Sequence, residues 1–216
     1  MPVDIKRLDH ARSARIAGYL GLLGCIAAIA TNLIGVWVHD STGFVEDTIS
    51  DLAAGRHAWI QDTGLYLYAL GMAAVGFALG RLPVQTPRWR GGCYLLIALG
   101  LAVFVMGLHG EYGDYEPGGL KIHIYLLYFL GIGFGIAAIL LANGLGIMFG
   151  RAWSHASLAI AVMWMFGGPA FFFVPDAWDG LFERGVGLLS ILWLAGVSVL
   201  LITHRGEVRR PVPVRG

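Results

Sequence analysis

Apolar residues fall in long unbroken runs along this chain, and polar residues collect between them. Six runs stand out, at about 15–38, 60–80, 91–109, 122–147, 154–174 and 185–203. A hydrocarbon core ~30 Å thick takes roughly 20 helical residues to cross, which each run supplies. No Asp, Glu, Lys or Arg occurs in their central turns. One such charge at mid-bilayer costs about 2.5–3.5 kcal/mol. Barrel strands would be ~10-residue segments of alternating polarity, whereas these runs are continuous. The pattern predicts an all-α polytopic membrane bundle of six transmembrane helices.

Composition agrees: 57% of the residues are hydrophobic and 13% charged, against ~25% charged in an ordinary soluble domain. The charge of +1 hides a strong segregation. Lys6, Arg7 and Arg12 precede the first run and Arg15 opens it, and Arg81, Arg88 and Arg90 follow the second. Arg151 follows the fourth, and Arg205, Arg209, Arg210 and Arg215 follow the sixth. Only Arg56, Lys121 and Arg184 fall on the opposite face. The positive-inside bias therefore places both termini in the cytoplasm, as an even number of crossings requires. The expected division is a cytoplasmic tail at 1–14, a six-helix domain at 15–205 and a second cytoplasmic tail at 206–216, with disorder over about 1–12 and from 206 onward. The first run is too long for a signal-peptide core and reads as an uncleaved anchor. A plasma membrane or bacterial inner membrane is the expected location. The inner basic residues are thinly spread and serve topology, so no nucleic-acid partner is expected.

Local signals refine the picture. Asp47 through Gly55 reads as a short helix in the first outer loop, capped by Asp47 and ended by Gly55. Ile49 and Leu52 would share a face that dips into the membrane surface. Gly167-Gly168-Pro169 is expected to kink the fifth crossing. Gly76/Gly80, Gly131/Gly135 and Gly146/Gly150 have the spacing that lets helices approach closely. Trp37, Trp59 and Trp178 fit an outer aromatic belt, and Trp89 and Trp153 an inner one. Cys25 and Cys93 fall at depths differing by roughly 10 Å at ~1.5 Å per residue, which predicts two free thiols. Asn32 and Asn143, the amides inside the runs, are expected to bond neighbouring helices.

Chemistry-bearing residues gather at the outer ends: His39-Asp40, His57, Asp62, His109, Glu111, Asp114, His123 and Glu183-Arg184. Several readings compete for them. A zinc-assisted hydrolase acting on a lipid would use His109, Glu111 and His123 as ligands, since imidazole and carboxylate suit zinc with one position left for water. Asp51 or Asp62 would be its general base, although no tight motif such as H-E-x-x-H is present. A haem-binding electron carrier would draw axial histidines from His39, His109, His123, His155 and His204. A lipid or small-solute transporter would need no buried charge, but ion coupling usually does. The plainest reading makes these groups interfacial and Glu183-Arg184 a surface ion pair of little worth. The protein is then a structural or accessory component of a membrane complex, with membrane lipids and other membrane subunits as its partners.

The order of Ile49-Ser50-Asp51-Leu52 after the first crossing, His123 opening the fourth, and Gly180-Leu181-Phe182-Glu183-Arg184 leading into a last crossing with Trp193 resembles the uncharacterised six-span family catalogued as domain of unknown function 998. The resemblance spans roughly 15–205 and departs in the loop from His109 to Gly119, which is longer, more acidic and more aromatic than a brief turn. It implies fold and topology, brings no reaction, and picks out Asp51, His123, Glu183 and Arg184.

Overall fold

A computed structural model describes residues 5–38, 43–84, 86–109 and 121–203, with the side chains of 5–10 left aside. Regular structure among the described residues is helical throughout, with no strand. In chain order the helices are α1 Ile5–Val38, α2 Ile49–Leu52, α3 Ala58–Gly80, α4 Pro87–Leu108, α5 Ile122–Phe149, α6 Arg151–Phe171 and α7 Asp179–Thr203. Short 3₁₀ turns at Gly55–His57 and Asp176–Trp178 lead into α3 and α7.

Five of these helices, α1, α3, α4, α5 and α7, are long and apolar enough to cross a membrane. The fifth expected crossing, α6, is equally a long helix of 21 residues. Its hydropathy is diluted by Arg151, Ser154, His155, Ser157 and the Gly-Gly-Pro run, and it falls short of the other five. Pro169 comes two residues before the end of α6. Lacking an N–H, it stands where α6 ends, in the outer half of the expected crossing. The other difference lies at the start of the chain. α1 begins at Ile5, ten residues ahead of the expected crossing, because nothing from Ile5 to Ala14 breaks a helix.

The six long helices form a ring, each packed on the next in chain order, and α7 closes it against α1. Contact is most extensive between α1 and α3, and thinnest between α6 and α7. The short connections from α3 to α4, α5 to α6 and α6 to α7 make those helices antiparallel neighbours. Between α5 and α6 the turn is Gly150 alone, at φ +111, a conformation that side-chain-bearing residues rarely adopt.

Small residues set the tightest seams, because apolar lipid gives helices no hydrophobic reason to associate and close backbone approach must hold them. A carbon added at Gly100 would lie 2.8 Å from the Ala69 carbonyl oxygen, and one at Gly24 2.6 Å from that of Leu67. The pairs seen in the sequence divide: Gly76 abuts the Cys93 carbonyl and Gly135 faces Met165, whereas Gly131 meets open space. On the other side of the ring a polar relay joins three helices. Trp193 Nε1 donates to Ser157 Oγ at 2.9 Å, and Ser157 donates to the Ala138 carbonyl at 2.8 Å. Trp89 is not a belt residue: it is 1% exposed, and its indole donates to the Leu79 carbonyl at 3.0 Å. Cys25 in α1 and Cys93 in α4 are both buried and free.

Candidate functional site

The residues of interest meet at one end of the ring, around α2. That helix exists because Thr48 and Asp51 cap it reciprocally. Thr48 Oγ1 accepts from the Asp51 amide at 3.1 Å, and Asp51 Oδ2 accepts from the Thr48 amide at 2.7 Å. Such a box satisfies donors that a single turn of helix cannot satisfy itself. The cap is thus Thr48 and not Asp47, whose carboxylate instead accepts from the Gly43 amide. Gly55 does take the left-handed conformation, at φ +72.

The apolar face of α2 turns into the bundle, not into the membrane surface as the sequence alone led us to expect. Leu52 is 1% exposed and packs over Gly35 of α1. Ile49 reaches toward Gly187 of α7. A four-residue helix has too little surface to anchor in lipid, and the glycines of α1 and α7 leave room for it against those helices.

Glu183 and Arg184 fasten this plug. Glu183 Oε2 accepts from the Ile49 amide at 2.6 Å. Arg184 donates through Nη1 to the carbonyls of Asp47 at 2.6 Å and Phe44 at 3.1 Å, and through Nε to Asn32 Oδ1 at 2.9 Å. Its guanidinium also lies 4.9 Å from the centre of the Phe44 ring. Asn32 in turn approaches Gln61 Oε1 of α3 at 3.5 Å. Glu183 and Arg184 do attract each other, but they do more than pair: each also holds backbone that a loop cannot pair internally, where a charged partner roughly doubles the strength of the bond.

Gly180 makes the approach feasible. Its amide donates to the Glu46 carbonyl at 3.3 Å, and the Leu181 amide to that of Val45 at 3.0 Å. A carbon added at Gly180 would meet the Asp47 carbonyl oxygen at 2.0 Å. The first turn of α7 and the loop thus run backbone against backbone.

His123, in the first turn of α5, is 7% exposed, with Nε2 3.4 Å from Ser50 Oγ. Sequence reading singled out His123 but not Ser50, Thr48 or Asn32 as members of one site. The capping-box spacing Thr48-x-x-Asp51 was the available signal for Thr48; nothing local marks Ser50. Asp62 sits half-buried on α3, one helical turn before Tyr66. His109 caps the end of α4, its amide bonded to the Val105 carbonyl at 2.9 Å. Glu111 lies outside the described residues, as do His39, Asp40, Asp114 and His204. Among the described residues no three His, Cys, Asp or Glu side chains come together as ligands for one metal ion.

Residues 22–200 match the family described as "Protein of unknown function (DUF998)". No curated protein and no solved structure matches the chain.

Proposed function

This chain belongs to the DUF998 family of proteins of unknown function, and on that premise we propose that it is a structural or accessory subunit of a membrane complex, crossing the bilayer six times. Both termini face the cytoplasm and the α2 plug faces outward. The sixth crossing is supported by α6 itself: 21 residues at ~1.5 Å each give ~31 Å, about the thickness of the core. The direction is supported by the basic residues at the α1 start, the α3–α4 turn and the α5–α6 turn, all at the end remote from α2. A plasma or bacterial inner membrane suits this arrangement.

One observation carries the functional reading. The charged residues at the α2 end act on the chain's own backbone: Glu183 on the Ile49 amide, and Arg184 on the Asp47 and Phe44 carbonyls. Groups used this way hold a surface in shape. At the same end Trp37, Trp59 and Phe173 are 86%, 65% and 88% exposed, at the level where aromatic side chains meet the membrane–water interface.

Purification from native membranes in mild detergent tests this. Stoichiometric co-purifying subunits, without metal or pigment, are the expected result. A lone chain carrying zinc that is lost in His109→Ala or His123→Ala would overturn it in favour of the lipid hydrolase. A haem absorption band would overturn it in favour of the electron carrier. Reporters fused to the two termini should both read as cytoplasmic.

A further inference from the structure

The thinnest seam of the ring, between α6 and α7, opens as a groove of about 430 Å³, within the size range of small-molecule sites. Its walls include Met163 and Gly167 of α6 and Leu181, Phe182, Gly185 and Leu189 of α7, with Trp178 at its end. The lining is almost wholly apolar. A carbon added at Gly185 would touch nothing within 4 Å, so this glycine leaves open space along the seam.

Length distinguishes the occupants. From Leu181 to Leu189 the α7 wall runs roughly 12 Å at ~1.5 Å per residue, and Trp178 extends it by about a turn. That is about one leaflet, half of the ~30 Å core. A partner helix would need a groove running the full thickness; an acyl chain needs only this much. Charge then distinguishes headgroups. Beside Trp178 stand Asp176 and Asp179. Asp179 is half-buried and follows directly on the Trp178 that ends the groove. The nearest cation in sequence, Arg184, is turned away toward Asn32 and the loop carbonyls.

We propose that the α6–α7 groove is a binding site for one phospholipid of the leaflet at the α2 end, with an acyl chain along Gly185 and a primary ammonium headgroup, as in phosphatidylethanolamine, at Asp179. An anionic headgroup would meet two carboxylates there and is disfavoured. The site stands on the groove alone and is independent of any partner subunit.

Native mass spectrometry of the full chain, stripped of lipid and then given phosphatidylethanolamine or phosphatidylglycerol with identical chains, tests the assignment. Wild type should retain one phosphatidylethanolamine at least tenfold more tightly than phosphatidylglycerol. Gly185→Leu, which fills the groove, should lower that retention at least tenfold. Asp179→Asn should bring phosphatidylethanolamine down to the level of phosphatidylglycerol. Gly131→Ala, on α5 outside the groove and facing open space, serves as the folding control, melting with wild type and keeping the lipid. Equal retention of the two lipids by wild type would overturn the proposal. So would unchanged binding in Gly185→Leu, or a homodimer that Gly185→Leu disperses.

Discussion

Gly180→Ala puts a methyl carbon where the backbone of the first loop already is. The added carbon would lie 2.0 Å from the Asp47 carbonyl oxygen, 2.7 Å from the Asp47 carbonyl carbon and 2.6 Å from Arg184 Nη1. Because two of those neighbours are backbone, neither can swing aside, and the loop must retreat by about 1 Å to restore ordinary contact. That retreat strains the Arg184–Asp47 bond at 2.6 Å and the amide bonds of Gly180 and Leu181 to Glu46 and Val45. A charge-assisted bond contributes about 1.5–3 kcal/mol and a neutral one about 0.5–1.5 kcal/mol. Losing most of them removes on the order of 3–5 kcal/mol from docking of the loop, discounted for coupling among neighbours. The bundle should survive, since the seams between the long helices are untouched. Hydrogen exchange at the Ile49 and Leu181 amides reads the effect directly. Protection there should fall by about two orders of magnitude or more, while amides in the middle of α3 and α4 stay as in wild type. Gly185→Ala supplies the comparison on the same helix, because its added carbon meets nothing within 4 Å. Unchanged protection in Gly180→Ala, or an equal loss in Gly185→Ala, would refute the reasoning.

Two further outcomes follow from the packing. Gly100→Leu should pry α4 from α3, since even its first added carbon would lie 2.8 Å from the Ala69 carbonyl oxygen. Overpacking of this kind costs about 1–3 kcal/mol and should lower the melting temperature in detergent by several degrees, whereas Gly131→Leu, facing open space, should leave it unchanged or slightly raised. Cys25 and Cys93, at 3% and 2% exposure, should react with a maleimide only after unfolding; rapid labelling of the folded protein would contradict their burial.

Much of the architecture is legible in one dimension. The stretch 122–147 reads as a helix, and α5 runs Ile122–Phe149. Asn32 reads as an interhelical bonding residue, and it meets Arg184 and Gln61. The motif residues Asp51, His123, Glu183 and Arg184 stand out by position and by family likeness, and the fold gathers them around α2. Their roles were not legible. Glu183 and Arg184 are adjacent in sequence and read as an ion pair, but nothing there shows that a loop about 140 positions away supplies carbonyls for one and an amide for the other. Trp89 likewise reads as a belt residue from its place near a span end, but it is buried against Leu79.

By itself, then, the sequence determines the long apolar helices and the segregation of charge between their ends. Both are local or additive: a helix in lipid must satisfy its own backbone, so length and hydropathy suffice to mark it. Tertiary structure decides which faces meet, and so which glycines are indispensable and where Ser50 finds His123. These depend on the order of helices around the ring and the rotation of each about its axis. Helices apolar on nearly every side carry no amphipathic stripe to announce that rotation. Close approach of small residues fixes it instead. Only then do the polar groups at the α2 end converge, with α2 held against α1, α3 and α7 by Glu183 and Arg184.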